Sequence, residues 1–229
     1  MRIHVAIPAY DGKICVSTAH SLDYETRAMA QLGIESEVSY LPGMPLISIV
    51  RNMQAHKFLT ESKADKLVFV DADVGWKMGT LIHVASHKEH IVAAGVRRRK
   101  DPEDYAINFL DSGVEQDPKT GLIEIETIGM ALTAISRECL ETFKAKTPEL
   151  AYGFEGQTHH GFFQCPIEGG RAVGEDVFFC ETWRKLGGKV FLDPRHWTTH
   201  SDGVKTYGGC VGQWLNAKIE QTAPAMAAE

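Results

Sequence analysis

The chain has 229 residues and a net charge of −6, with 24 basic and 30 acidic side chains. This length allows one α/β domain with a full core, and the acidic balance argues against a broad nucleic-acid-binding surface. The five cysteines show no paired spacing, and no apolar stretch is long enough to span a membrane. The composition therefore predicts a soluble protein of the reducing cytoplasm.

Strands and helices alternate in the first hundred residues. Short apolar runs predict strands over 3–7, 36–40, 67–70 and 91–96. Amphipathic segments predict helices over 17–32, 48–62 and 77–88. This alternation indicates a mostly parallel sheet flanked by helices.

The second half has a different pattern. We predict a polar loop over 102–121, strands over 122–128 and 129–135, and a helix over 137–144. A segment rich in Gly, His and aromatic residues, 152–170, reads as a binding loop, and a helix over 175–186 precedes a strand over 189–192. Residues 1–215 are expected to form one domain, and 216–229 a partly disordered C-terminal tail.

Two carboxylates, Asp71 and Asp73, directly follow the third predicted strand. In open α/β sheets the loops after the carboxyl ends of the strands bind ligands. Carboxylate oxygens are also the ligands that hard divalent cations prefer. The pair therefore predicts a cation site, with the capping of a turn or helix as the structural alternative.

Three further polar groups accompany this Asp-x-Asp motif. A loop with Tyr10 and Asp11 follows the first strand, Arg51 lies near a helix start, and the pair Glu175-Asp176 begins a later helix, with His200 downstream. In this order the motifs resemble those of the GT-A glycosyltransferases, especially the family 2-like enzymes of bacteria and phages. The resemblance covers about residues 2–215 and implies a GT-A fold, which is α/β with a mostly parallel central sheet.

The resemblance also implies how a nucleotide-sugar donor would bind. Arg51 would reach a phosphate or orient the Asp-x-Asp loop, and Asp71 would contact the ribose or a metal-bound water. Gly129 and Met130 would line the donor sugar. The residues implied at the base and ribose are Pro8, Ala9, Tyr10 and Asp11.

The same resemblance implies the metal ligands and the catalytic groups. Asp73 would bind the cation directly and His200 would supply a second ligand, a mixed set that favours Mn²⁺ over Mg²⁺. Asp176 would act as the base that accepts the proton of an acceptor hydroxyl, and Glu175 would orient the acceptor. Acidic residues in the first turn of a helix are also stabilised by the helix dipole, which is the structural alternative for this pair.

The sequence thus predicts a metal-dependent glycosyltransferase that moves a sugar from a nucleoside diphosphate sugar to a hydroxyl, with inversion. A sugar-phosphate nucleotidyltransferase and a non-catalytic nucleotide- or carbohydrate-binding module of the same fold are the alternatives. The acceptor stays open among a hydroxymethylated DNA base, a glycan and a small molecule.

Two segments are ambiguous in the sequence. The basic run 97–100 reads either as a solvated loop or as a contact to a phosphate or an acceptor. A second group reads either as an acceptor wall or as a cover of the sheet: His159, His160, Phe162, Phe163 and Trp214.

Overall fold

The computed structural model describes the backbone of residues 1–222 and the side chains of residues 1–220. The helices are α1 (Val16–Gln31), α2 (Ile47–Thr60), α3 (Thr80–Ser86), α4 (Arg137–Lys146), α5 (Glu175–Lys185) and α6 (Val211–Thr222). The first eight strands are β1 (Arg2–Ala9), β2 (Glu35–Pro42), β3 (Lys66–Val70), β4 (Val74–Trp76), β5 (Ile91–Ala94), β6 (Ile107–Phe109), β7 (Ile123–Ile128) and β8 (Leu132–Ser136). The later strands are β9 (Ala151–Phe154), β10 (Gln157–His160), β11 (Ile167–Glu168), β12 (Arg171–Ala172), β13 (Val190–Asp193), β14 (Trp197–Ser201) and β15 (Thr206–Cys210).

An eight-stranded central sheet has the strand order β2-β1-β3-β8-β5-β13-β7-β6. Strand β1 pairs in parallel with β2 and β3, and β13 pairs in parallel with β5. Strands β7 and β8 run antiparallel to their neighbours, so the other strands share one direction. The architecture is α/β with a mostly parallel sheet, as the alternation of elements predicts.

Both faces of this sheet are covered, which explains why β3 is apolar from Leu67 to Val70. Successive strand residues point to opposite faces, and Leu67 and Phe69 join one core cluster while Val68 and Val70 join the other. The first cluster packs against α2, α4 and α5 through aromatic residues such as Phe143. Helices α1 and α3 cover the opposite face. The strand that leads to Asp71 is therefore packed on both faces.

A second, three-stranded sheet, in the order β15-β14-β4, begins immediately after the Asp-x-Asp motif. Helix α1 anchors β4, because the Ser21 hydroxyl donates to the carbonyl of Trp76 and accepts the Trp76 N–H. The buried carboxylate of Glu25 accepts the backbone N–H groups of Gly79 and Ile82 at 2.8 Å each, at the start of α3. These contacts fix the chain on the far side of the motif.

Several predicted elements differ from the structure. The helix predicted over 77–88 is confined to Thr80–Ser86, and β4, β14 and β15 were not predicted. The strand predicted over 129–135 begins at Leu132, which leaves Gly129 and Met130 in the connection. The predicted binding loop 152–170 contains the short hairpin β9-β10 and strand β11.

Helix α6 crosses the predicted domain boundary at residue 215 and continues to Thr222. It packs on the first core cluster through Val211 and Leu215. The remainder of the predicted tail, 223–229, lies outside the described residues. No helix within 1–222 combines the length and apolar character that crossing a bilayer requires.

Candidate functional site

The Asp-x-Asp turn is held by backbone hydrogen bonds from three separate parts of the chain. The N–H of Asp71 donates to the carbonyl of Ala131 at 3.0 Å. The carbonyl of Ala72 accepts the N–H of Cys15 at 2.7 Å, and the carbonyl of Asp73 accepts the N–H of Ser201 at 2.9 Å. The positions of both carboxylates are therefore set by the fold before any ligand binds.

Arg51 is buried, with 3% of its surface exposed, and it joins two of the predicted site carboxylates. Its Nη2 lies 2.9 Å from Asp71 Oδ1, and its Nη1 donates to Glu175 Oε1. Burial raises the pKa of Glu175; the Arg51 charge opposes this shift and the nearby charge of Asp176 adds to it. Arg51 thus holds the Asp-x-Asp motif against the start of α5.

Asp73 contacts two cationic side chains from distant segments. Its Oδ2 accepts a hydrogen bond from Arg99 Nη1 at 2.8 Å, and its Oδ1 lies 3.4 Å from His200 Nε2. Burial favours a higher pKa for Asp73, but the hydrogen bond from His200 and the charges of His200 and Arg99 outweigh it, so the pKa is lowered. Burial likewise opposes protonation of His200, yet its bonds to Asp73 and to the Arg97 carbonyl leave its pKa raised.

The residues at Asp73 and His200 fit a divalent cation. The Nδ1 of His200 donates to the carbonyl of Arg97 at 2.9 Å, which leaves Nε2 as the ring nitrogen that faces Asp73. Such an outer hydrogen bond is the usual way in which a protein orients a metal-binding imidazole. Two ligands of one ion at about 2.1 Å each lie roughly 3 to 3.4 Å apart, and the observed 3.4 Å separation agrees.

A cavity of about 600 Å³ lies on one side of Asp73. The predicted base and ribose residues Pro8, Tyr10 and Asp11 line it, and Tyr10 is 65% exposed. Ala9 is buried and does not line the cavity; its carbonyl accepts the N–H of Gly12 at 2.8 Å. The structure therefore places Ala9 in the turn beneath the cavity wall, and its predicted contact to the nucleotide stays a prediction.

A second cavity, of about 240 Å³, adjoins the first, and Ile47, Asp71 and His200 line both. The further predicted residues that line it are Arg51, Gly129, Met130, Glu175 and Asp176. Asp176 Oδ1 accepts the N–H of Val177 at 2.8 Å. A Cβ atom at position 129 would lie 3.5 Å from Asp176 Oδ2, so the glycine keeps space open beside that oxygen.

The basic run 97–100 divides into different roles. Arg97 is held inside the protein, where its Nη1 donates to the carbonyl of Gly208 at 3.0 Å, and Lys100 pairs with Asp104 at 2.6 Å. Arg99 reaches Asp73, and Arg98 lines the smaller cavity. Sequence reasoning noted this run but did not connect Arg99 to Asp73, because 26 residues separate them and no local pattern links them.

The aromatic segment after β10 covers the sheet. Phe162 and Phe163 are fully buried in the first core cluster, and Asn52 bonds the backbone of Phe163 through both atoms of its amide. His160 Nε2 lies 2.9 Å from the Thr147 hydroxyl. None of these residues lines either cavity, so the contacts favour the cover of the sheet over an acceptor wall.

Within the described residues, a cluster of three metal-ligating side chains lies outside both cavities. It contains His83, His87 and Asp193, whose ligating atoms lie within 4.8 Å of one another. None of the three was singled out from the sequence, where the histidines are four residues apart and Asp193 is more than a hundred residues away.

No protein-family model and no curated protein sequence matches the chain. Among solved structures, A197 from STIV superposes with a TM-score of 0.54 and 17% identity over 88% of this chain and 86% of that one. The catalytic domain of Drosophila beta1,4-galactosyltransferase 7 gives 0.49 and 11% over 84% and 64%. The inositol-1-phosphate CTP transferase from T. maritima gives 0.42 and 11% over 89% and 90%.

The likeness to A197 extends over most of both chains and shows a shared fold. The predicted fold class, α/β with a mostly parallel central sheet flanked by helices, is confirmed. The matched structures include both glycosyltransferases and nucleotidyltransferases.

Proposed function

We propose that the protein is a metal-dependent glycosyltransferase that moves a sugar from a nucleoside diphosphate sugar to an acceptor hydroxyl with inversion. The observation that carries the proposal is the junction of the two cavities at Asp71 and His200. On one side lie the cation-binding and cationic groups Asp73 and Arg99, and on the other lie the carboxylates of Glu175 and Asp176. A leaving diphosphate and an incoming hydroxyl need these two environments next to each other.

The larger cavity suits the nucleoside diphosphate. When bound, a Mn²⁺ or Mg²⁺ ion held by Asp73 and His200 would neutralise the charge of the leaving group. Arg99 offers a guanidinium to the same phosphates once it exchanges its bond with Asp73. The exposed Tyr10 ring provides a surface on which a base can stack, with Asp11 as an acceptor for base or ribose donors.

The smaller cavity suits the sugar and the acceptor. Asp176 Oδ1 is engaged by Val177, which fixes the carboxylate and leaves Oδ2 to accept the proton of the attacking hydroxyl. Glu175 is tied to Arg51 and serves to position the acceptor. Gly129 leaves room for the sugar beside Asp176 Oδ2.

A nucleotidyltransferase would need cationic groups free to bind a triphosphate at the first loop. In this chain the turn over 8–12 has a single glycine and no basic residue. The loop therefore supports sugar transfer over nucleotidyl transfer. The acceptor is proposed only as a hydroxyl compound, with hydroxymethylated DNA bases, glycans and small molecules as the classes to test.

The test is a screen of nucleotide-sugars with Mn²⁺, read by mass spectrometry for released nucleoside diphosphate. We expect the release of nucleoside diphosphate to depend on the cation and to be mostly lost in Asp73→Ala. His200→Ala should weaken the metal affinity less than Asp73→Ala does. Asp23→Ala, which removes an exposed carboxylate of α1, is the matched control. Full turnover in chelator would refute the metal site, and binding without turnover would indicate a non-catalytic module. In a parallel assay with a nucleoside triphosphate and a sugar 1-phosphate, release of pyrophosphate would indicate a nucleotidyltransferase.

A further inference from the structure

Three histidines outside the proposed catalytic cavities each bring a ring nitrogen to one carboxylate oxygen of Asp193. His83 and His87 lie one turn apart at the end of α3, and Asp193 and His196 lie at the end of β13 and in the turn that follows. The Asp193 Oδ2 atom is 3.3 Å from His83 Nδ1, 3.2 Å from His87 Nε2 and 3.1 Å from His196 Nε2. Two of the imidazoles also face each other, with 3.1 Å between His83 Nδ1 and His196 Nε2.

Hydrogen bonds alone do not account for this arrangement. Arg195 Nη2 also lies 2.8 Å from Asp193 Oδ2, so four nitrogen atoms surround an oxygen that has two lone pairs. His87 Nε2 is 3.4 Å from Arg195 Nη2, and a guanidinium can only donate, so that ring nitrogen is required as an acceptor there and as a donor to Asp193. A cation held by the ring nitrogens and Oδ2 would accept one lone pair from each imidazole, and the bond from Arg195 to Oδ2 would remain as an outer hydrogen bond.

The chemistry of the donor set identifies the class of ion. Three imidazole nitrogens and one carboxylate oxygen form a borderline set that suits Zn²⁺, and four protein ligands are typical of structural zinc sites. The separations of 3.1 to 3.3 Å at Asp193 Oδ2 are close to the roughly 3.3 Å expected between tetrahedral zinc ligands. Arg195 Nε holds the other oxygen, Oδ1, at 2.7 Å and thereby orients the carboxylate.

We propose that His83, His87, Asp193 and His196 form a structural zinc site, independent of the proposed transfer reaction. Asp193 is completely buried, whereas the His83 side chain is 41% exposed and provides a route for the ion. The site would join α3 to the connection between β13 and β14. Strand β14 carries His200, so zinc would stabilise the strand that presents the second ligand of the catalytic cation.

The experiment uses the full chain with Asp73→Ala, which disables the other cation site. After removal of metal with a chelator, the protein is titrated with Co²⁺, whose visible absorption reports tetrahedral coordination, and with Zn²⁺, measured by elemental analysis after dialysis. We expect one tightly bound ion for each chain and a higher thermal unfolding midpoint with zinc. His83→Asn should lower the affinity by at least the roughly 10–100-fold that loss of an outer-shell partner costs. His20→Asn, at an exposed histidine on α1, should leave the affinity unchanged.

The outcomes separate a zinc site from an ion-pair cluster. If the Asp73→Ala protein shows no tetrahedral cobalt spectrum and retains no zinc, the cluster is an ion-pair network and the proposal is wrong. Equal binding by His83→Asn and His20→Asn would overturn it as well. Because the titration of the Asp73→Ala protein decides the question by itself, a ligand variant that fails to fold does not prevent the test.

Discussion

Replacing Asp176 by Asn separates the two roles that an acidic residue can have at the start of α5. The Asn side chain keeps an Oδ1 atom that can accept the N–H of Val177, which Asp176 accepts at 2.8 Å. It loses the negative charge near the helix N-terminus, which costs about 0.3–1 kcal/mol of folding free energy. It also loses the capacity to take a proton from a hydroxyl.

The expected effect on the reaction is much larger than the effect on folding. A positioned general base contributes roughly 10²–10⁴-fold to the rate, which corresponds to about 2.7–5.5 kcal/mol of activation free energy. Donor affinity should stay close to that of the wild type, because Asp73 and His200, the proposed cation ligands, are untouched.

The measurement combines the rate of sugar transfer with donor affinity by calorimetry and stability by urea unfolding. Glu138→Gln is the matched control, because it removes a first-turn carboxylate from α4, outside both cavities. The control should transfer sugar at the wild-type rate. Near wild-type transfer by Asp176→Asn would refute the assignment of the base and leave Asp176 as a helix-start residue.

Three further predictions concern the surroundings of the site. Arg51→Met leaves Asp71 and Glu175 without their common partner and should lower the free energy of unfolding in urea by about 3–5 kcal/mol. Arg27→Met, at an exposed pair with Asp23, should lower it by less than about 1 kcal/mol. Equal losses would contradict the buried role of Arg51. Gly129→Val fills the space beside Asp176 Oδ2 and should raise the KM for the donor about tenfold or more. The thermal unfolding midpoint should change little. An unchanged KM would exclude the donor sugar from the smaller cavity. Burial, reinforced by the charge of Lys144, lowers the pKa of His160 below 6.5. The unfolded chain therefore binds more protons than the folded protein, and the free energy of unfolding decreases as the pH falls below that value. Between about pH 7.5 and 5.5 this decrease should be smaller in His160→Gln than in the wild type, and an equal decrease would contradict the assignment.

The first half of the fold could be predicted because its strands are buried on both faces. An apolar run such as 67–70 is recognisable without any knowledge of its neighbours, and the position of Asp71 at the carboxyl end of the sheet follows from it. Strands β14 and β15 contain threonine, glycine and histidine, whose burial depends on partners elsewhere in the chain. Their sequence therefore carries no period that indicates a strand.

The same distinction applies to the side chains of the site. Motifs that are continuous in sequence, such as Asp71 with Asp73 and Glu175 with Asp176, were recognised from their spacing. The bond from Arg99 to Asp73 and the approach of His83 to Asp193 join residues from separate elements. Such pairs depend on the order of strands in the sheets, which a single sequence does not reveal.

The three-stranded sheet makes the spacing of the two proposed metal ligands a property of the backbone. Asp73 immediately precedes β4, and His200 pairs with Val74 across the β4-β14 ladder. Because alternate residues of a strand point to opposite faces, insertion or deletion of a single residue before His200 in β14 would turn its imidazole away from Asp73. Point substitutions that keep the length of β14 leave that register intact. This part of the chain is therefore far more tolerant of changes in residue type than of changes in length.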